Sequence, residues 1–550
     1  MFVLSLLIFN SCYQDDNSIH VSNIIDNNSK VQTFKSIQKA VNSARSGQII
    51  YIHKGIYREQ VKVPKDKKGL KIFAYKNDKP VLKGSDIVTG WTKKNNYWYK
   101  SIKIQPQQVM IDGDNPLQQI AYPNESFIKN DTKRKRYEFP IGKGLEDMQN
   151  GRFFWANDTL YIALKDGSDP DKHSIEVSQR ENILSIEADS VHIKGLTFRH
   201  SNSNTFREQG AAVILGNYSL IEDCDVQWCD FGGISFGHKS IGAKAIRCNA
   251  SHNGATGFNA SASEDFLISQ CKANHNNYRN FYALWHAGGF KAATSAWGTV
   301  EKSEFADNIG AGIWFDYCFE RAKYRNNGQK SIIIRNNYIH NNSLYPEKNH
   351  NAAVMLEVSE KIDFYNNILV NNGHRAVYVA ASWDVNILNN TFIGTTGYCT
   401  IDIAGIPRGN NAKLTDVTVK NNIVYNSKTL YDLHLLKPNN RDIDLPVCDN
   451  NLFFRPDDSI KMWYSTDGRT GWKGEVIYDL KKWQMKTGFD KNSIDKNPLL
   501  DENDIYFIPK VNSPVIDAGD NFVLDIFKTD FKENPRILGK SVDIGALEVK

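Results

Sequence analysis

Gly312-Ile313-Trp314-Phe315-Asp316 begins 23 residues after Gly289-Phe290-Lys291-Ala292-Ala293 and is followed by Ala353-Val354-Met355-Leu356-Glu357, Ala376-Val377-Tyr378-Val379-Ala380 and Thr400-Ile401-Asp402-Ile403-Ala404. Upstream, Gly233-Ile234-Ser235-Phe236-Gly237 and Gly257-Phe258-Asn259-Ala260-Ser261 align with these without gaps. In every segment the second and fourth residues are apolar, the period of a strand with one buried face, so the third and fifth residues point outward. Successive segments start 24, 32, 23, 41, 23 and 24 residues apart. A repeat of this length is one coil of a solenoid, and the two longer intervals supply loops able to wall a cleft.

A second column supports the same reading. Cys224, Cys248 and Cys271 are spaced 24 and 23 residues apart, and the series runs on through Ser303, Asn336, Asn366, Asn389, Asn421 and Asn450. Seven cysteines lie beyond Cys12. The equal spacing of Cys224, Cys248 and Cys271, without a Cys-x-x-Cys pair, points to stacked buried thiols rather than to disulfides or zinc. A column of asparagine at one turn position is the pattern of amides bonding along a stack of strands. The expected architecture is all-β: a parallel β-helix with one coil per 20 to 30 residues.

Around this core, residues 1–30 read as an export signal and linker. Residues 31–90 read as an N-terminal cap and the first coils, in which Thr33 to Val41 has helical apolar spacing and precedes the strand Gly47 to Ile52. From 91 to 178 the repeat gives way to alternating strands rich in Tyr, Trp and Phe, an inserted β subdomain. Residues 179–460 form the β-helix proper and 461–550 the C-terminal coils and cap. The 550 residues carry 67 Lys and Arg against 62 Asp and Glu, with 41% hydrophobic and 11% aromatic content. That balance excludes a disordered or collagen-like chain and gives no support for nucleic-acid binding, despite the basic run Lys133 to Arg136. No glycine-rich phosphate loop opens a helix after a strand, so no nucleotide cofactor is expected.

The chemistry is expected on the outward columns. The fifth column reads Gly237, Ser261, Ala293, Asp316, Glu357, Ala380, Ala404. Its two charged members are neighbours in the stack, flanked by small residues that leave room for a ligand. Strands about 4.8 Å apart put equivalent carboxylates about 5 Å from each other. Retaining glycosidases need that separation, whereas inverting enzymes need about 6.5 to 9.5 Å. Lys291, one coil from Asp316, favours its ionised form, which makes Asp316 the nucleophile and Glu357 the general acid/base. Trp314, Tyr378 and Asp402 in the third column are candidates to stack on and bond to a sugar, and Asn259 precedes Lys291 in that column. His286 and His374, with Trp285, sit at loop edges where they can line the site.

The Gly312 to Asp316 strand, followed one coil later by Leu356-Glu357-Val358, resembles the active-site strands of glycoside hydrolase family 120, which includes β-xylosidases. The resemblance implies a right-handed parallel β-helix, a pectate-lyase-like solenoid, with Asp316 as nucleophile and Glu357 as acid/base. The segments Val109 to Gly113, Ala121-Tyr122-Pro123 and Asp166 to Pro170 look like the β subdomain common in such hydrolases, while the Tyr317 to Ala352 loop is longer than the family leads one to expect. The expected substrate is a plant or algal oligosaccharide or polysaccharide, attacked by exo action without a required cofactor.

Two other readings compete. A polysaccharide lyase acting on uronic-acid polymers would use Lys291 as base and Asn259, Asp316 and Glu357 as Ca²⁺ ligands. A non-catalytic carbohydrate-binding β-helix would show no close carboxylate pair. Finally, Met1 to Cys12 is an apolar run too short to span a bilayer. The segment Ser11 to Asp16 resembles a bacterial lipoprotein signal, which implies lipidation at Cys12 and an exported protein tethered to an outer membrane or cell surface, or otherwise periplasmic or secreted.

Overall fold

The computed structural model describes residues 18–24, 31–120, 142–203, 210–320, 331–344, 351–406, 413–434, 443–456, 459–465 and 474–550. Cys12 and the export segment, the Lys133 to Arg136 run, Ala121 to Pro123 and part of the Tyr317 to Ala352 loop lie outside these residues. Short strands stack in chain order into a 14-stranded sheet, a 13-stranded sheet and a third face made of a 4-stranded and a 7-stranded piece. Apart from the antiparallel last strand of the 13-stranded sheet, Glu475–Ile477, these strands pair in parallel with their equivalents one coil away, so the chain winds as a parallel β-helix. One continuous apolar core runs inside it from Ile19 to Phe489.

The N-terminal end is closed by α1 (Ile37–Ser43). Ser36 caps this helix by accepting from the Lys39 amide, and Ile37, Ala40 and Val41 are buried on the first coil. Glu59 accepts from the free Ile37 and Gln38 amides at 2.8 and 3.0 Å, completing the cap.

The turn column differs from the sequence expectation by one residue. The buried ladder passes from Cys248 and Cys271 to Ser303 and then to Asn337, Asn367, Asn390, Asn422 and Asn451, the second asparagine of each pair. Each side chain accepts from the backbone amide of its counterpart one coil earlier, at 2.8 to 3.3 Å from Cys271 to Ser493. Asn336, Asn366, Asn389, Asn421 and Asn450 instead take the left-handed conformation, φ 50 to 57°. Asparagine tolerates that conformation better than other side chains. The outward amides of the first four hold the returning C-terminal segment through the carbonyls of Asp530, Thr529, Asp543 and Asp520. A second ladder links Asn253, Asn276, Asn308, Asn342 and Asn372.

The inserted subdomain comprises a five-stranded and a four-stranded sheet, the latter starting at Ser85–Ile87. Glu176 ties it to the β-helix by accepting from Arg58 and Lys83 at 2.8 and 2.6 Å. At the far end, the helix Leu480–Thr487 buries Trp483 on the last coils, and residues 490–550 run back along the flank.

Candidate active site

The site face belongs to the 13-stranded sheet and uses β1 (Gly232–Ser235), β2 (Thr256–Ser261), β3 (Gly288–Ala293), β4 (Ala311–Asp316), β5 (Val354–Glu357), β6 (Arg375–Ala380) and β7 (Cys399–Ala404). Their register matches the sequence alignment throughout. Asn259 lies opposite Lys291, Lys291 opposite Trp314, and Trp314 opposite Met355. Likewise Met355 pairs with Tyr378 and Tyr378 with Asp402, while Asp316 pairs with Glu357.

The outward column is covered rather than open to solvent. Asn259, Lys291, Trp314, Met355, Tyr378 and Asp402 are all less than 10% exposed, as is Glu357. The longer interval between β2 and β3 covers this face with α2 (Ala283–His286), whose Ala283 carbonyl is held by buried Asn351 at 3.1 Å. Leu284 of α2 packs against the apolar cluster that contains Trp314, Met355 and Tyr378.

Beneath this cover, the Lys291 ammonium lies 3.1 Å from Asp316 Oδ2, donates to the Trp285 carbonyl at 2.6 Å and sits 3.4 Å from the centre of the Trp314 ring. The Asp316 side chain is 24% exposed. One carboxylate thus faces solvent beside a buried cation, with Glu357 on the adjoining strand. His286 stacks on Phe231 at 5.3 Å, and burial, then the Lys291 charge, push its pKa down to about 3. It is therefore a neutral imidazole. Asn259 Nδ2, His286 Nε2 and Trp314 Nε1 are buried without hydrogen-bond partners among the described residues. Buried polar atoms are normally bonded, so three such nitrogens on one face mark a place for polar ligand atoms.

A residue missing from the sequence expectation completes the other half of the face. Arg375 bonds Asp402 Oδ2 through Nε at 2.5 Å and donates to His374 Nδ1 at 2.6 Å. Its guanidinium lies 4.7 Å from the Tyr378 ring and 4.8 Å from Tyr398, on which His374 also stacks. Burial works against the Arg375 cation, but Asp402, Cys399 and Tyr378 together outweigh it and the pKa is raised. Strict alternation places Arg375 inward, so the sequence pattern does not mark it as a site residue. The paired residues skip Ala376, and Ala376 and Val377 both face the core, so a bulge-like irregularity returns Arg375 to the outer face. The signal in the sequence was a lone charge in a column otherwise reading Gly232, Thr256, Gly288, Ala311, Ala352 and Cys399.

Asn259, Lys291, Trp314, Asp316 and Glu357 on β2 to β5 therefore gather with His286 of α2, and Arg375, Tyr378 and Asp402 on β6 and β7 gather with His374, just before β6. Met355 bridges the two groups. The arrangement is a covered, cation-anchored carboxylate pair on a solenoid face.

The fold class is a right-handed parallel β-helix: a family profile described as "Right handed beta helix region" matches residues 209–392. Among solved structures, the complex of XylC with xylose superposes with a TM-score of 0.61 at 14% identity, over 96% of this chain and 98% of that one. A structure titled "Glycoside hydrolase" follows at TM-score 0.50 and 11% identity, covering 80% of this chain and 96% of that one. Pectate lyase Pel9A aligns at TM-score 0.39 and 11% identity over 97% of both chains. At such identities the likeness is one of fold. No curated protein sequence matches the chain.

Proposed function

We propose that this protein is a retaining glycoside hydrolase, β-xylosidase-like, acting at the ends of plant or algal oligosaccharides. The observation that carries the reading is the pairing of Asp316 with Glu357 on adjoining strands, with Lys291 against Asp316. In this reading Asp316 attacks the anomeric carbon while Glu357 gives a proton to the departing glycosidic oxygen. A covalent glycosyl ester on Asp316 results. Glu357, now a carboxylate, then takes a proton from water as it attacks the same carbon, which regenerates Asp316 and keeps the anomeric configuration. Lys291 holds Asp316 and fixes the Trp285 carbonyl, while Asn259, His286 and Trp314 offer buried nitrogens to sugar hydroxyls. Tyr378 and the Arg375–Asp402 pair extend the face for the remainder of the substrate. The cover formed by α2 favours exo action, because it leaves less room for a continuous polymer.

Elimination is less well supported. Lys291 is engaged by Asp316, the Trp285 carbonyl and the Trp314 ring, which is a poor setting for a proton-abstracting base and opposes a cation at Asp316. Export and lipidation at Cys12 belong to the same proposal and are checked by palmitate labelling of wild type against Cys12→Ser.

The test is hydrolysis of a panel of neutral and uronate-containing oligosaccharides, read by product mass and by the anomer first released. Addition of one water with retained configuration is expected, and Glu357→Ala should lose about 10²- to 10⁴-fold in rate. Asp316→Ala should be inactive yet folded. An unsaturated product, an inverted anomer, or full activity in either variant refutes the assignment.

A further inference from the structure

A cavity of about 270 Å³ opens where the inserted subdomain meets the segment leading into α2. Gln108, Gln119, Phe153 and Lys165 line it from the subdomain, and Tyr278 and Arg279 from the β-helix side. It shares none of these residues with the Asp316–Glu357 face.

Its walls are built and held. Arg279 is 5% exposed, and its guanidinium donates to Gln119 Oε1 at 2.6 Å and to the Asp230 carbonyl at 2.8 Å. With its oxygen so engaged, Gln119 is left with its amide nitrogen to offer. The Tyr278 hydroxyl donates to Gln108 Oε1 at 2.7 Å, and Gln108 Nε2 donates to the Ser201 and Trp228 carbonyls at 3.0 and 3.1 Å. Lys165, on the exposed side, is bonded to Asn115 Oδ1 at 2.8 Å and keeps two further N–H groups. Buried Phe153 supplies an apolar face.

The charge of this lining is one-sided. None of the described lining residues is acidic and two are cationic. Outside the lining, Asp230 has Oδ1 taken by Ser201 and by the Ser203 amide, and its Oδ2 forms a buried ion pair with Arg279 at 4.0 Å, so Lys165 carries the uncompensated charge of the cavity. A planar guanidinium, an ammonium and an amide nitrogen around one space match a carboxylate or a sulfate, and the amides and phenyl ring match hydroxyls and the C–H face of a ring. The volume is below the usual range for drug-sized ligands, about 300 Å³ and up, and suits a single sugar ring.

We propose that this cavity is a second carbohydrate site, which takes one anionic sugar residue bearing a uronate or sulfate-ester group. The choice of a sugar as carrier rests on the carbohydrate-active reading; the preference for an anion rests on the lining alone.

The experiment is isothermal titration of the full chain with glucuronate, galactose 6-sulfate and glucose. Binding of one of the two anionic sugars without glucose is expected, and which of them binds identifies the source of the anion. Lys165→Gln should weaken that binding about tenfold, the loss of one charge-assisted hydrogen bond, and leave hydrolysis of a small aryl xyloside unchanged. Arg279→Gln should abolish binding. Because Arg279 also anchors Asp230 and Gln119, a variant there can fail to fold, and Lys165→Gln then decides. Equal binding of glucose, no binding of any of the three, no effect of Lys165→Gln, or loss of binding in Asp316→Asn overturns the proposal. If binding behaves as expected but the oligosaccharide panel is not hydrolysed, the catalytic reading fails and the cavity assignment stands.

Discussion

Replacing Lys291 by Met tests whether this ammonium anchors the site. The substitution keeps the chain length over Trp314 and removes the charge 3.1 Å from Asp316 Oδ2. Coulomb's law at that distance gives about 5 kcal/mol for an effective dielectric constant of 20, and about 1.3 kcal/mol in bulk water. Lys291 is 7% exposed and Asp316 24%, so the pair is shielded on the lysine side and partly wet on the other. A coupling of about 2 kcal/mol is the expected result between those bounds. It is measured by a double-mutant cycle over wild type, Lys291→Met, Asp316→Asn and the double variant, each unfolded in urea at pH 7 and followed by tryptophan fluorescence. The cycle cancels the separate cost of leaving the Trp285 carbonyl unbonded, which both variants lacking Lys291 share. Lys291→Met alone should be more destabilised than the coupling, because that carbonyl loses its donor, about 1 to 3 kcal/mol if left unmet. A coupling below about 0.5 kcal/mol would place the pair with ordinary surface contacts and refute the idea that Lys291 holds Asp316 in position.

Two further outcomes follow from the fold and the cover. Asn367→Ala removes the acceptor of the Asn337 amide and the donor to the Ile334 carbonyl, both buried, and should cost about 3 to 5 kcal/mol in urea unfolding, whereas Asn366→Ala, which loses one bond to the Thr529 carbonyl and leaves alanine in the left-handed conformation, should cost about 2; equal costs would contradict the ladder. His286 has its pKa pushed down to about 3 in the folded chain, against 6.5 when unfolded, first by burial and then by Lys291. Below pH 6.5 the unfolded chain therefore binds a proton that the folded chain refuses, and stability falls towards pH 3 by up to about 1.4 kcal/mol per pH unit. His286→Phe should remove that share of the acid sensitivity in urea midpoints compared at pH 7 and pH 5, and an unchanged difference would show that the imidazole is not held neutral.

The repeat could be read without coordinates because a solenoid is nearly one-dimensional. Each strand meets its own equivalent one coil away, so aligning segments such as Gly289 to Ala293 with Gly312 to Asp316 is the same operation as pairing them in space. That identity put Asp316 beside Glu357 and Lys291 beside Trp314 from sequence alone. Where local periodicity broke, the reading slipped. The left-handed turn residue moved the buried asparagine ladder from Asn336 to Asn337, and the irregularity at Ala376 hid Arg375. Contacts between elements with no shared period were beyond it altogether. The descent of α2 over the outward column, the return of residues 490–550 along the outer asparagines, and the cavity joining Arg279 to Gln119 depend on where loops and the subdomain come to rest. No repeat records those positions, because they are set by packing between segments far apart in the chain.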